Sequence, residues 1–318
     1  MIVHVFRRAM WLVKVLPEPV GRAIFRAVGT LAGLSSVAGM RQLRANLERI
    51  LPVEGKLAAR RRSARAMRSY MDYYYESFRL NSLSHAQIDA RVSYENIDGI
   101  RRHLQSGRST SGALLHIGNW DLAGAWATRH LAPVHSIAEK LNPPELADLF
   151  LDFRRSIGLT IYQTGTGGAI TDLAQSMREG GAFVPLLCDR DLSASGVEVL
   201  LAGRPVRVAV GAALLAQRTG EPMWPVTIVT EDFSDDVARV RQAGTRYGIR
   251  CIFGEPVWPA VGQEASEEDR HADLVRMNQE WLDQVSPVLA RHVTDWHMLQ
   301  KVFVEDLDPE RLARARAR

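Results

Sequence analysis

With 318 residues, 46% of them hydrophobic and 24% charged, the chain has the composition of a globular protein with material for a large core, which excludes disordered, collagen-like and disulfide-stapled classes. The two cysteines, Cys188 and Cys251, both sit in apolar runs and point to buried thiols rather than a bridge. The formal charge is a modest +4, and no nucleic-acid motif or zinc-ligand spacing accompanies the basic residues, so neither nucleic acid nor a metal is an expected partner.

The basic residues gather at the N-terminus, where Arg7, Arg8, Lys14, Arg22 and Arg26 lead a series opposed only by Glu18, Glu48 and Glu54 before Ser63. Interleaved Phe6, Trp11, Leu16, Ile24 and Val28 give these segments an apolar and a basic face as helices. Such helices lie in the interface of an anionic membrane, each Lys or Arg near the surface adding about 1 kcal/mol. The alternative is an ordinary amphipathic helix packed on the protein's own core. No run reaches the roughly 20 apolar residues of a spanning helix. A signal peptide is not expected, because Lys14 and Glu18 interrupt the apolar run and no small-residue cleavage site follows.

Residues 64–80 read as a helix carrying Tyr70, Tyr73, Tyr74, Tyr75 and Phe78, with Tyr70, Tyr74 and Phe78 on one face. Ser84 is a candidate helix cap, 92–94 a short strand, and a further helix leads to Gly107. Strands and helices then alternate: strands over 113–115, 134–138, 159–163, 182–188 and 223–229, helices from Asn119 and over 144–156, 170–179 and 208–218. Strands over 237–241 and 249–253 and a long helix over 267–285, ending before Pro287, complete the order. This alternation predicts an α/β fold with a mostly parallel central sheet flanked by helices on both faces. No linker rich in Gly, Pro or Ser divides the chain, so 1–80 is expected to supply N-terminal amphipathic helices packed on an α/β core over 81–318. The stretch QTGTGG, 163–168, lacks the ending of a phosphate-binding loop and reads as a turn.

The chemistry concentrates in GALLHIGNWDLAGAW, 112–126, where a buried-looking strand delivers His116 to a Gly118-Asn119 turn and Asp121 follows in the first turn of a helix. At the carboxyl end of a parallel strand, His116 stands where open α/β sheets place their ligands. As a general base it needs a partner for Nδ1, and Asp121, if the turn folds back, supplies the carboxylate. A second carboxylate, Asp189, follows the strand over 182–188 and reaches His116 if the two strands are neighbours.

HIGNWD, together with AEKLNP (138–143), CDRDL (188–192) and DWHMLQ (295–300), resembles the lysophospholipid acyltransferase superfamily, and within it the lauroyl-transferase-like branch that contains the phosphatidylinositol mannoside acyltransferases. The resemblance covers nearly the whole chain, with the blocks in family order. It implies a glycerol-3-phosphate acyltransferase-like fold, peripheral on the cytoplasmic face of the cell membrane. It also implies transfer of a palmitoyl-type acyl group from acyl-CoA, or another thioester co-substrate, to a mannose hydroxyl of a phosphatidylinositol mannoside, with no further cofactor. An acceptor such as a lipid A precursor, or a non-catalytic lipid-binding role on the same scaffold, stays open. By motif position the resemblance places a glutamate and an arginine near the histidine at Glu139 and Arg154. Arg190, Trp120 and Asn119 are further candidates for substrate contact, and His116, Asp121 and Asp189 are the expected catalytic set. The resembling enzymes usually carry glutamate where Asp189 stands, one methylene longer. The segment 197–210 corresponds to a region that helps form the acyl pocket, and Trp296 and His297 to packing behind the catalytic histidine.

Overall fold

The computed structural model describes residues 2–138, 143–163, 168–191 and 195–316. Four N-terminal helices, α1 (Ile2–Val15), α2 (Glu18–Leu34), α3 (Ala38–Ile50) and α4 (Lys56–Arg79), precede the sheet. They are followed by α5 (His85–Ala90), β1 (Val92–Glu95), α6 (Asp98–Gln105), β2 (Thr110–Leu114), α7 (Trp120–His130), β3 (His135–Ala138), α8 (Pro144–Ser156), β4 (Thr160–Gln163) and α9 (Ala169–Glu179). The second half runs β5 (Phe183–Leu187), β6 (Val197–Leu201), β7 (Arg204–Val208), α10 (Gly211–Thr219), β8 (Met223–Asp232), α11 (Val237–Ala243), β9 (Tyr247–Phe253), α12 (Glu267–Arg291) and α13 (Pro309–Arg316).

The central sheet has the order β1-β9-β8-β2-β5, parallel except for the β8–β9 pair. It is the predicted α/β arrangement, with a core on each face. One is built on Leu115, Val184, Ala212, Trp281 and Trp296, the other on Leu114, Leu122, Trp126, Phe183 and Val226. Met40, Leu43 and Leu47 of α3 and Met67 of α4 belong to the first of these cores, so those helices are integral to the α/β body.

At the β5 edge the sheet is deliberately left incomplete. Phe183 N donates to Pro133 O (3.0 Å), beginning a ladder with the strand next along, β3. Two residues later the same side of β5 presents Pro185, which has no N–H to continue it. β3 therefore leaves β5 and pairs with β4 as a separate parallel two-stranded sheet, held to the edge by Ser136 Oγ donating to Pro185 O (2.7 Å). Ser136, Ile137 and Pro185 at this wedge line a cavity of about 440 Å³.

Two sequence expectations are corrected, and the segment 197–210 gains a definite structure. Residues 237–243 are helical rather than extended, because Asp236 caps them through Arg239 N (2.9 Å) and Ala243 fills a small core with Phe233. The long helix α12 passes through Pro287 to Arg291, since burial of Val288 and Leu289 outweighs the missing proline N–H. The segment 197–210 is an antiparallel hairpin, β6 with β7. Ser84 does cap α5, with Gln87 completing a reciprocal capping box. The turn reading of QTGTGG falls mostly outside the described residues.

α2 lies on α4 through Gly21, Gly29 and Gly33. A Cβ at Gly29 or Gly33 would stand 2.5 Å from backbone atoms of Met67 or of Ser63 and Ala64, so only glycine permits this approach. Buried Arg22 fastens the pair by donating to Glu76 and Glu18 (both 2.9 Å). The opposite face of α2 presents Val20, Ile24, Val28 and Leu31 to the outside, and α1 exposes Trp11, Leu12 and Val15 beside it.

Candidate active site

Register alone brings the histidine and a carboxylate together. β2 and β5 pair in parallel with Leu114 opposite Leu187, and two residues on from each stand His116 and Asp189. Beyond the last rung, Cys188 N donates to Leu114 O (2.8 Å) and holds the two strand ends level. His116 Nδ1 lies 2.5 Å from Asp189 Oδ1, while Asp189 Oδ2 accepts from His116 N (2.9 Å) and from Trp296 Nε1 (2.8 Å). A carboxylate facing Nδ1 fixes the proton there and leaves Nε2 as the base. Burial by itself would raise the Asp189 pKa, but the charge of His116 and these three donors outweigh it and hold the carboxyl below the usual aspartate range.

The turn that carries His116 is clamped on both sides. Gly118 adopts φ +65°, and a Cβ there would meet Ile228 O at 2.2 Å, so the sharp exit from β2 requires glycine. Gly118 N donates to Asp295 O (3.1 Å) and His297 N to His116 O (2.8 Å), tying the turn to the DWHM segment. Trp296 supports the histidine, as the sequence suggested, by donating to the acid that holds it.

Asp121 does not partner His116, contrary to the expected pairing. Being in the first turn of α7, its carboxylate is carried away toward α4 and α8, where it accepts from Tyr73 Oη (2.8 Å) and Arg154 Nε (3.0 Å). Tyr73 is the residue that sequence reasoning missed, because a tyrosine in a tyrosine-rich helix looks like core and its hydroxyl partner lies 48 positions away. Desolvation would depress the Arg154 pKa, but the adjoining Asp121 charge outweighs it and keeps the guanidinium firmly protonated. Asn119 is also reassigned. Almost fully buried, it caps α7 by accepting from Leu122 N (3.0 Å) and donates to Glu76 (3.0 Å), so it shapes the turn rather than facing substrate. Trp120 stands edge-on to His116, ring centres 5.7 Å apart, and together with Arg154 and Arg190 lines the cavity that the histidine faces. Glu139 lies outside the described residues.

That cavity, about 440 Å³, runs from His116 into the wedge opened by Pro185. Leu114, Trp126, Val134, Phe183 and Phe253 line one side of β5, and Leu186 and Leu214 the other. The walls are overwhelmingly apolar, and the charged groups Asp121, Arg154, Arg190 and Asp191 line it together with His116. No cluster of His, Cys, Asp and Glu suited to a metal ion occurs among the described residues.

Compared with known proteins, residues 1–305 match the family model described as bacterial lipid A biosynthesis acyltransferase. The chain belongs to this acyltransferase family. Among its relatives, phosphatidylinositol mannoside acyltransferase of Mycolicibacterium smegmatis is 30% identical over 306 residues, 95% of this chain and 91% of that protein. The protein of the same name from Mycobacterium tuberculosis H37Rv is 30% identical over 284 residues, 88% of this chain and 82% of that protein. The crystal structure of PlsC, the 1-acyl-sn-glycerophosphate acyltransferase of Thermotoga maritima, aligns with a TM-score of 0.33 and 16% identity, covering 82% of this chain and 98% of that one. Membership in the acyltransferase family and these relatives make the protein a glycolipid acyltransferase.

Behind the acyltransferase site, His297 is buried and stacked on Tyr70, with Nε2 3.2 Å from Ser69 Oγ. Burial, and then the neighbouring charge of His116, push its pKa from 6.5 down to about 3. Between those two values the unfolded chain binds a proton that the folded chain refuses, so stability falls as the pH falls, by up to about 1.4 kcal/mol per unit. Chemical denaturation between pH 7 and pH 4 is expected to show this slope in the native protein and a flatter one in His297→Gln.

Proposed function

We propose that the chain moves a palmitoyl-type acyl group from acyl-CoA to a mannose hydroxyl of a phosphatidylinositol mannoside, at the cytoplasmic face of the membrane and with no cofactor beyond the thioester co-substrate. The observation that carries this reading is the His116–Asp189 pair, with His116 lining an apolar cavity. An acyl chain gains about 0.8 kcal/mol for each methylene it buries there. The names of the relatives support this acceptor.

In this mechanism His116 Nε2 takes the proton of the acceptor hydroxyl as its oxygen attacks the thioester carbonyl. Asp189 stabilises the resulting imidazolium through Nδ1. The tetrahedral intermediate then breaks its C–S bond, and the imidazolium returns the proton to the leaving thiolate. Direct transfer is favoured over an acyl-enzyme: the two cysteines at the cavity, Cys188 and Cys251, are buried with their thiol pKa values pushed up to about 12, so each is a thiol and not a nucleophile at neutral pH.

His116→Ala is expected to lower acyl transfer by at least about 10³-fold with an unchanged circular dichroism spectrum. Retained activity in the purified variant overturns the assignment. The family description favours a second acceptor class, a lipid A precursor. Radiolabelled acyl-CoA offered with a panel of glycolipids separates the two, and absence of transfer to any acceptor would indicate a lipid-binding protein.

The exposed faces of α1 and α2 support the membrane location. Trp11 is 62% and Leu31 71% exposed, and Lys14, Arg41, Lys56, Arg60 and Arg61 are exposed cations of the N-terminal helices. On its packed side α1 sets Phe6 against Phe150 of α8, one turn before Arg154, which lines the cavity. Among the described residues no single helix is long and apolar enough to cross a membrane; α2 and α3 pass that test only as a pair bent by 83°. The double variant Trp11→Ser/Leu31→Ser is expected to weaken partition onto anionic vesicles on the order of 10- to 100-fold, read by co-sedimentation. Unchanged partition would remove this face from the reading.

A further inference from the structure

Asn119 caps α7 three residues after the catalytic histidine, and a side-chain amide can cap in one orientation only. Its oxygen must face Leu122 N, from which it accepts at 3.0 Å, and its nitrogen must then face away, toward α4. What stands there is Glu76, whose Oε2 accepts from Asn119 Nδ2 at 3.0 Å. Ser77 Oγ completes the set by donating to Asn119 Oδ1 at 3.5 Å. The Glu76 carboxylate is held from behind by Arg22 of α2, which donates to Oε1 at 2.9 Å while also meeting Glu18 (2.9 Å) and Asp72 (3.4 Å). Arg22, Glu76 and Asn119 are all buried, where a missing partner is costly.

A carboxylate has no hydrogen to donate. Facing Asn119, it is met only by the amide nitrogen, so Glu76 excludes the flipped amide that would set nitrogen against nitrogen at Leu122 N. The capped turn is the one that carries the base: Gly118, at φ +65°, precedes Asn119, and Trp120, edge-on to His116, follows it. We propose that Glu76 is a positioning residue for acyl transfer, selecting the Asn119 amide orientation that sets the His116 turn. This rests on the acyl-transfer reading above. Neither Glu76 nor Asn119 lines the cavity that His116 faces, so the effect belongs in kcat and not in substrate affinity. Since Arg22 comes from α2, the helix with the exposed apolar face is also part of the support of the base.

The test inverts the polarity of one hydrogen bond in the full chain. In Glu76→Gln the new amide turns its oxygen to the charged Arg22 and its NH2 to Asn119, where two donors then oppose each other and the Asn119 amide flips off its cap. Asn119→Asp alone sets two carboxylates face to face. In Glu76→Gln/Asn119→Asp the new amide donates to the new carboxylate, which still accepts from Leu122 N. Each single variant is expected to lower kcat about 10- to 100-fold with KM within about threefold, and the double variant to recover to within about threefold of wild type. Amide exchange at Leu122, followed by NMR, should quicken about five- to tenfold in Glu76→Gln and return in the double variant. A kcat for Glu76→Gln within about twofold of wild type overturns the proposal, as does a folded double variant no more active than Glu76→Gln. Where a variant is partly unfolded, kcat is compared per folded molecule, with the folded fraction from circular dichroism; a wild-type value there makes Glu76 merely structural and also overturns it. If Glu76→Gln does not fold at all, Asn119→Asp supplies the same comparison. Should the wild-type protein transfer no acyl group, Leu122 exchange still decides: a change in Glu76→Gln that the double variant reverses keeps the role of Glu76 in setting the turn while the function fails, and unchanged exchange removes that role.

Discussion

Asp189→Asn is expected to lower kcat by about 10³- to 10⁴-fold while leaving the protein folded and KM little changed. The amide is the same size as the carboxylate and can still meet Trp296 and the His116 backbone, but it neither fixes the proton on Nδ1 nor stabilises an imidazolium. The defect should persist at every pH in a pH–rate profile, which separates loss of the orienting charge from a shifted titration. Asp189→Glu, with the chain length usual among the resembling enzymes, is expected to recover part of the activity. Its carboxylate must reach a ring that here stands only 2.5 Å from the shorter side chain, so local repacking limits the recovery.

Asp121→Ala is expected to give the opposite pattern. Removing that carboxylate leaves the Arg154 guanidinium and the Tyr73 hydroxyl in a largely dry pocket without their acceptor. Breaking a buried pair from one side costs about 3–5 kcal/mol, to be read as a drop in unfolding free energy in urea. Since Arg154 also lines the cavity, KM should rise more than kcat falls. A variant that kept its stability and lost kcat would restore Asp121 to the role the sequence first suggested.

The alternation of strands and helices, the turn at Gly118 and the placement of His116 at a strand end were legible because each depends on local pattern. The partnership with Asp189 was legible conditionally, needing only that β2 and β5 be neighbours. The distribution of roles between Asp121 and Asp189 was not. An H-x4-D spacing leaves the helical first turn free to face either way, and what turns it is Arg154 on α8 and Tyr73 on α4, both distant in sequence. The helix over 237–243 was missed because seven residues are too short to show a helical period and its start is set by a single cap, and Pro287 misled because core burial continued the helix beyond it. Pro185 gave no signal of its importance either; its missing N–H matters only because Phe183 has already begun a ladder on that side.

Asp189, and not Asp121, holds the proton on Nδ1 of His116. The direct measurement is ¹⁵N NMR of the imidazole in histidine-labelled protein above its titration, compared with Asp189→Asn and Asp121→Asn. A protonated Nδ1 and a bare Nε2 are expected in wild type and in Asp121→Asn, with that tautomer lost in Asp189→Asn. A bare Nδ1 in the wild type, or a tautomer that changes with Asp121 and ignores Asp189, would contradict that partnership.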